Sequence, residues 1–329
     1  MGTPGLTRRA ALRLGALALP GAAWAPRASA QSWPNRPVRI VVPYAAGGAT
    51  DTMARMVAER LTRRLGQNVI VENRAGAGGA IGAQAVVQAE RDGHTLLFSG
   101  GSLFAAVPLM QRLSFDPAKD LQGVSIVGVN GVVMVASPGF GPNSPAEVIA
   151  WAKANPGKLN CAAAGNGTSS HIAGVIFQER AGLDMVIVPY AGAAAANSDV
   201  IAGRVHIHFG SVADLLPYAG TGSMKLLAIT SRERIPQAPD LPVMTDTIPG
   251  LVYEAWNGLI APSGVPAPVI ALLSRHVMEI AREPDFVQRL GLLGIQSTGS
   301  TVQQVEEMLA YERPLYAAAI RAAGLGFAP

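Results

Sequence analysis

The stretch V-P-Y-A-A-G-G-A-T-D (Val42–Asp51) decides the fold, because it is a glycine-rich turn set between a buried strand and a helix. Upstream, Val38–Val42 is β-branched and nearly all apolar, as a strand covered on both faces would be. Downstream, Met53, Met56, Val57, Leu61 and Leu65 recur at helical spacing and predict a helix over 52–65. Thr50 or Asp51 is the expected N-cap. Gly47 and Gly48 let a ligand approach the backbone, and a helix N-terminus turns unpaired N–H groups toward it. The turn therefore has the physics of an anion site. It carries no Lys or Arg and no G-x-x-x-x-G-K-[ST] pattern, which argues against a nucleotide and for a small carboxylate.

Outward from this turn the chain alternates strand and helix. Strands are expected at Val69–Glu72, Thr95–Phe98, Leu159–Ala162, Met185–Val188, Val205–Phe209 and Lys225–Thr230. Helices are expected at Ala80–Ala89, Ser170–Ala181 and Ser198–Ala202. Two apolar runs, Ser125–Val129 and Val132–Ala136, are broken by Asn130-Gly131. Capping boxes at Ser144–Glu147 and Thr301–Gln304 open two further helices, the first with Pro145 at its first position. The pattern predicts an α/β protein with a parallel or mixed sheet in each of two domains.

The first 30 residues read as an export signal. T-R-R-A-A-L-R (Thr7–Arg13) is a basic start, Leu14–Ala25 a short apolar run, and Ala28-Ser29-Ala30 a cleavage site. The apolar run is too short to span a bilayer of about 30 Å. Arg8-Arg9 favours the twin-arginine export route. Cleavage after about Ala30 places the mature chain in the periplasm and lowers the formal charge from +4 to zero. Nucleic-acid binding thereby loses its electrostatic basis. Cys161 is the sole cysteine, so no internal disulfide forms, and packing at a strand end is its expected role.

A second strand-to-helix loop, A-G-N-G-T-S-S-H (Ala164–His171), repeats the logic of the first with glycines, hydroxyl donors and a helix N-terminus. Facing each other across a cleft at the carboxyl ends of their strands, the two loops could each hold one carboxylate.

From Trp33 to Gly324 the chain resembles the periplasmic solute receptors of tripartite tricarboxylate transporters, the Bug family. The residues that carry the resemblance include Val42–Asp51, V-E-N-R-A-G-A-G-G-A-I-G-A (Val71–Ala83), D-G-H-T-L-L (Asp92–Leu97) and F-D-P-A-K-D (Phe115–Asp120). A-G-N-G-T-S-S-H, V-P-Y-A-G (Val188–Gly192) and W-N-G-L-I-A-P-S-G-V-P (Trp256–Pro266) follow in order.

The resemblance implies a type II periplasmic-binding-protein fold, with two α/β lobes joined by two crossover segments around a central ligand cleft. The crossovers are expected near Asn130 and Ala255, giving lobe 1 from 31–130 plus 255–329 and lobe 2 from 131–254. Tyr44, Ala46, Gly47, Gly48 and Asp51 would hold one carboxylate, with Ser99 and Ser102 completing that side. Gly165, Asn166, Gly167, Thr168 and Ser169 would hold the other end, with Tyr190, Gly192, Ala193 and Gly210 in the second wall. The implied protein is a monomeric receptor, not an enzyme, that needs no cofactor or metal. It delivers a small carboxylate to integral membrane permease subunits. Docking on a sensor-kinase ectodomain is the alternative, and an exported hydrolase a distant one.

The chain departs from the family pattern at Ala191, where Lys is common, at Phe209-Gly210-Ser211, where F-D-N is common, and at Leu103–Pro108. The wall is thus more apolar than usual, which points to a ligand without an ammonium group. A dicarboxylate, or an aromatic acid stacking near Phe104 or Tyr44, fits this reading, with Phe104 equally readable as core.

Other residues carry bland readings. Ser169 and His171 would want an orienting acid and an oxyanion hole to act as a hydrolase. His206 and His208 share one strand face, exposed or satisfied, and lack a third metal ligand. Arg74 is expected to hydrogen-bond loop carbonyls, and Gly76–Ile81 lacks the third glycine of a dinucleotide fingerprint.

Overall fold

Val38, Ile40, Val41 and Val42 are fully buried in β1 (Val38–Val42), and α1 (Ala49–Leu65) covers the strand with Met53, Val57 and Leu61. The computed structural model describes Met1, Gly2 and residues 33–322, so residues 3–30 of the expected export signal lie outside the described residues. Every helix and strand described belongs to the unit that begins at Pro34.

The helix α1 starts three residues before the sequence reading, with Gly48 and not Thr50 or Asp51 at the N-cap. The reason is local: the Asp51 carboxylate turns back to accept from the Gly47 amide at 2.9 Å. Gly66, at φ +67°, ends the helix by returning its N–H to the Thr62 carbonyl at 3.1 Å.

The chain continues through β2 (Val69–Asn73), α2 (Ala80–Val87), β3 (Thr95–Gly100), α3 (Ser102–Ala105), α4 (Val107–Met110) and α5 (Pro117–Asp120). The long strand β4 (Leu121–Ala136) leads to α6 (Pro145–Ala154), β5 (Leu159–Ala163), α7 (Ser169–Ala181) and β6 (Met185–Pro189). Next come α8 (Ala193–Ile201), β7 (Ile207–Ser211), α9 (Val212–Leu215), β8 (Lys225–Ile229) and β9 (Glu254–Pro262). The last elements are α10 (Ala267–Ile280), α11 (Pro284–Leu292), β10 (Gln296–Ser297) and α12 (Val302–Ala322).

The strands join in one curled ten-stranded mixed sheet, ordered β2-β1-β3-β9-β4-β7-β5-β6, with β8 and β10 also paired to β4. Parallel pairing links β1 to β2 and β3, and β5 to β6 and β7. The expected break at Asn130-Gly131 does not occur, because β4 runs through it. Residues 121–131 of β4 pair with β9, Asn130 opposite Ala255, and residues 132–136 pair with β7 and β8. Gly131 belongs in the strand because a Cβ there would lie 2.7 Å from the Ser231 nitrogen. This is the two-lobe α/β architecture of periplasmic binding proteins.

Hydrophobic cores sit on both stretches of the sheet. Val41, Ala83, Leu97 and Ile260 pack with Val305 and Leu309 from the first half of α12. Ile172, Val175, Phe177 and Phe209 pack with Tyr316, Ala319 and Ile320 from its second half. One helix thus contributes to both cores, with Pro314 between its two packing faces. The Thr301 box forms as expected: Thr301 N–H donates to Gln304 Oε1 at 2.9 Å, and Gln304 N–H to Thr301 Oγ1 at 3.2 Å. Among the described residues no helix is long and apolar enough to cross a membrane.

Candidate functional site

The carboxyl ends of β1, β3, β5 and β7 open on a cavity of about 910 Å³, large enough for a small solute with its water. Its first wall is the turn after β1. In α1 the first backbone bond runs from Thr52 N–H to the Gly48 carbonyl at 3.0 Å, so the amides of Ala49, Thr50 and Asp51 point out of the helix end. Asp51 holds this turn in shape. Burial pushes its carboxyl up, but hydrogen bonds from Arg55, the Gly47 amide and Asn73 hold it below the usual range. Asn73 Nδ2 donates both to Asp51 Oδ1 at 2.9 Å and to the Tyr44 carbonyl at 3.1 Å. The Asp51 carboxylate is therefore occupied within the loop, and what the turn presents outward is backbone amide.

The loop after β5 forms the opposite wall. Thr168 caps α7, accepting from the His171 amide at 3.4 Å and donating to the Gly165 carbonyl at 2.8 Å. Ser170 Oγ accepts from the Ala164 amide at 3.1 Å, and Gly167 N–H donates to His171 Nδ1 at 3.1 Å. These hydroxyls shape the loop, whereas among the described residues the Ser169 hydroxyl meets no partner. The Ser169 and Ser170 amides lie in the first turn of α7, ahead of its first backbone bond from Ile172 to Thr168.

A third helix end was not foreseen in the sequence. The helix α8 starts at Ala193 and not at Ser198, with its first backbone bond from Ala196 to Gly192 at 3.2 Å. The amides of Ala193, Ala194 and Ala195 thus join the cavity wall. The signal was the run Ala193–Ala196 after Gly192, the best helix formers behind a flexible residue.

Of the first-side residues, Tyr44, Ala46, Gly47, Gly48, Asp51 and Ser102 line the cavity. Gly165, Asn166, Thr168 and Ser169 line it from the second loop, and Tyr190, Gly192, Ala193 and Gly210 from the wall beyond. Tyr190 spends its hydroxyl on Asp199 Oδ2 at 2.7 Å. Two expected residues stay behind the surface. Ser99 is fully buried, 3.4 Å from the Tyr44 hydroxyl, and Gly167 packs where a Cβ would come within 2.8 Å of Val107.

Of the two readings of Phe104 the core one holds: it packs among Val41, Leu97 and Trp256 and does not line the cavity. Further expectations are corrected. Arg74 pairs with the Glu72 carboxylate at 2.6 Å and not with loop carbonyls. His206 takes the satisfied alternative: its Nδ1 accepts from the Asn160 amide at 3.0 Å, and its ring packs on Phe140 and Trp151. His208 is fully buried, its Nε2 has no partner, and burial lowers its pKa to about 4. Burial likewise lowers His171 to about 4 and pushes the Cys161 thiol up to about 12, which fits packing and not reactivity.

No Lys or Arg lines the cavity among the described residues. Its acids are Asp51 and Asp214, the second raised by burial, an effect reduced by the Ser211 hydroxyl that donates to it at 2.7 Å. Behind the wall, Glu312 accepts from Trp256 Nε1 at 3.0 Å and from the Tyr316 hydroxyl at 3.2 Å. At one edge the walls touch. Gly78, at φ +63°, lies so close to the Asn166 carbonyl that a Cβ there would collide with it. The glycines of Gly76–Ile81 therefore allow backbone to meet backbone across the cleft.

The arrangement offers helix amides, hydroxyls and aromatic edges, a set suited to holding an anion and releasing it. The family model described as tripartite tricarboxylate transporter family receptor matches residues 53–325. A UPF0065 protein of Bordetella bronchiseptica is 37% identical over 289 residues, covering 88% of this chain and 86% of its own length. Among solved structures, R. palustris Rpa4515 with adipate superposes with a TM-score of 0.84 at 27% identity, covering 89% of this chain and 98% of that one. MatC (Rpa3494) from Rhodopseudomonas palustris with bound malate superposes at 0.81 and 30% identity, covering 87% of this chain and 99% of that one.

Proposed function

The chain belongs to the tripartite tricarboxylate transporter receptor family, and from that premise we propose that its cleft closes on a small dicarboxylate in the periplasm and hands it to membrane permease subunits. The observation that carries this reading is a cavity in which three helix N-termini converge and, among the described residues, no Lys or Arg intrudes. Each N-terminus acts as roughly half a positive charge, so amides of α1 on one wall and of α7 and α8 on the other can neutralise a carboxylate at each end. Because these donors are uncharged, the empty cleft holds no desolvated cation waiting for a partner. That favours reversible capture over permanent binding.

Relatives with adipate and malate bound support a dicarboxylate of four to six carbons. Phe104, packed in the core, is not there to stack on an aromatic acid. The residues proposed to contact the ligand are Gly48, Ser102, Thr168 and Ser169, with the amides of 49–51 and 193–195. In the proposed division, lobe 1 comprises 31–130 plus 255–329 and lobe 2 comprises 131–254. The two move about the place where Asn130 of β4 faces Ala255 of β9.

The test is native mass spectrometry of the chain from residue 31, followed by a thermal-shift screen of mono-, di- and tricarboxylates, amino acids and aromatic acids. A true ligand at 100 times its Kd adds about 2.7 kcal/mol of stability. A shift confined to carboxylates, saturating without turnover, supports the receptor reading. Silence across the panel, or turnover of a substrate, overturns it.

A further inference from the structure

His208 is the second residue of β7, level with Ala162 near the carboxyl end of β5, and its Nδ1 lies 2.9 Å from the Ala162 carbonyl. A carbonyl oxygen has no proton to give, so Nδ1 is the donor and carries the hydrogen. In a neutral ring the other nitrogen, Nε2, is then a bare acceptor. The ring is neutral because burial disfavours its charged form. Nε2 is buried and meets no hydrogen-bond partner, a costly state for an acceptor.

Its place is on the cavity wall. The ring leans along the strand toward Gly210, where an added Cβ would lie 2.9 Å from Nε2, and His208 and Gly210 both line the cavity. Neither nearby hydroxyl cures the deficit: Ser211 is already donated to Asp214, and Ser170 Oγ lies 3.5 Å from Nδ1, the other side of the ring. The walls supply donors for a carboxylate, while this part of the floor lacks one.

We infer that His208 Nε2 selects the solute: beside its carboxylates the ligand carries a hydroxyl, which donates to this nitrogen. This deepens the receptor reading of the same cleft and rests on it. A neutral donor fits better than an ammonium, because the acid close by in sequence, Asp214, is itself in surroundings that disfavour charge. The solute class is a hydroxycarboxylate.

The experiment compares matched pairs by calorimetry: succinate with malate, glutarate with 2-hydroxyglutarate, and 3-phenylpropionate with 3-phenyllactate. In whichever pair binds, the hydroxy acid should bind at least about fivefold more tightly. His208→Gln, which keeps an acceptor, should retain part of that preference, and His208→Met should erase it while still binding the plain acid. Equal or reversed affinities in the unaltered protein overturn the inference but leave the receptor standing, as does tighter binding of aspartate than of malate. Binding of no carboxylate in the panel sinks both together. The tautomer is checked without any variant: nitrogen-detected NMR of the ligand-free protein should show Nδ1 protonated and Nε2 bare. A proton on Nε2 removes the argument outright.

Discussion

At the scale of single residues, Gly48 and Glu312 make opposite demands. Gly48 has φ −77° and open space around it, since a Cβ would meet only the Ala45 carbonyl at 4.0 Å. Gly48→Val should therefore leave the melting temperature within about 2 °C and weaken ligand binding more than about tenfold by standing in front of the α1 amides. Retained affinity by calorimetry would take the ligand away from this turn. Glu312 is a stability switch. Burial raises its pKa to about 7 from 4.5, against the hydrogen bonds from Trp256 and Tyr316 that lower it. Between pH 4.5 and 7 the folded carboxyl holds a proton that the unfolded one has released, so this group's contribution falls as pH rises through that window. The loss amounts to about 3 kcal/mol. Glu312→Gln should flatten that part of the pH profile in urea unfolding. A profile parallel to that of the parent would show that Glu312 titrates normally.

Much of the site was legible at this scale, and the reason is compositional. Glycines and hydroxyls between an apolar strand and an apolar helix can do little except form an open helix end, so both loops were found from sequence. Occupancy was not legible. Whether the Asp51 carboxylate or the Thr168 hydroxyl faces a ligand or its own loop depends on neighbours such as Asn73 and Gly165, brought close only by folding. His208 was misread for the same reason: the carbonyl that fixes its proton belongs to another strand.

Among the elements, the strands flanking the glycine loops were recovered nearly to the residue, while β4 and α8 were not. Asn130-Gly131 is the strongest short turn signal, yet β4 passes straight through it because β9, β7 and β8 supply partners along its length. The four alanines that open α8 have no periodicity to read. Between elements, α1 is fastened to the segment around α11 by Arg60, which is 1% exposed, donates to Glu283 at 2.8 Å, pairs with Asp285 and lies 4.9 Å from the Phe286 ring. Arg60→Met keeps the stem and removes the charge. It should cost about 1–3 kcal/mol in urea unfolding, since Glu283 is partly open to water. A neutral result would mean that packing and not pairing holds these helices.

For the whole molecule, the proposed closure brings Gly78 into play. With its backbone against the Asn166 carbonyl, any side chain at 78 must separate the two walls at that edge. Gly78→Ala should thus weaken ligand binding several-fold and enlarge the ligand-bound radius of gyration measured by X-ray scattering, with the unbound radius unchanged. Identical bound radii would show that this contact plays no part in the closed form.

The helix α12 anchors one end in each hydrophobic core, so in the proposed closure it is a leaf spring laid across the joint, with Pro314 the notch at which such a spring flexes. A proline there leaves the Ala310 carbonyl without its helical partner and softens the rod between its two moorings. A straight, unnotched rod would resist any change of angle between the cores, whatever the affinity of the solute. In the proposed capture and release, the stiffness of one helix thereby sets the mechanical work to be performed.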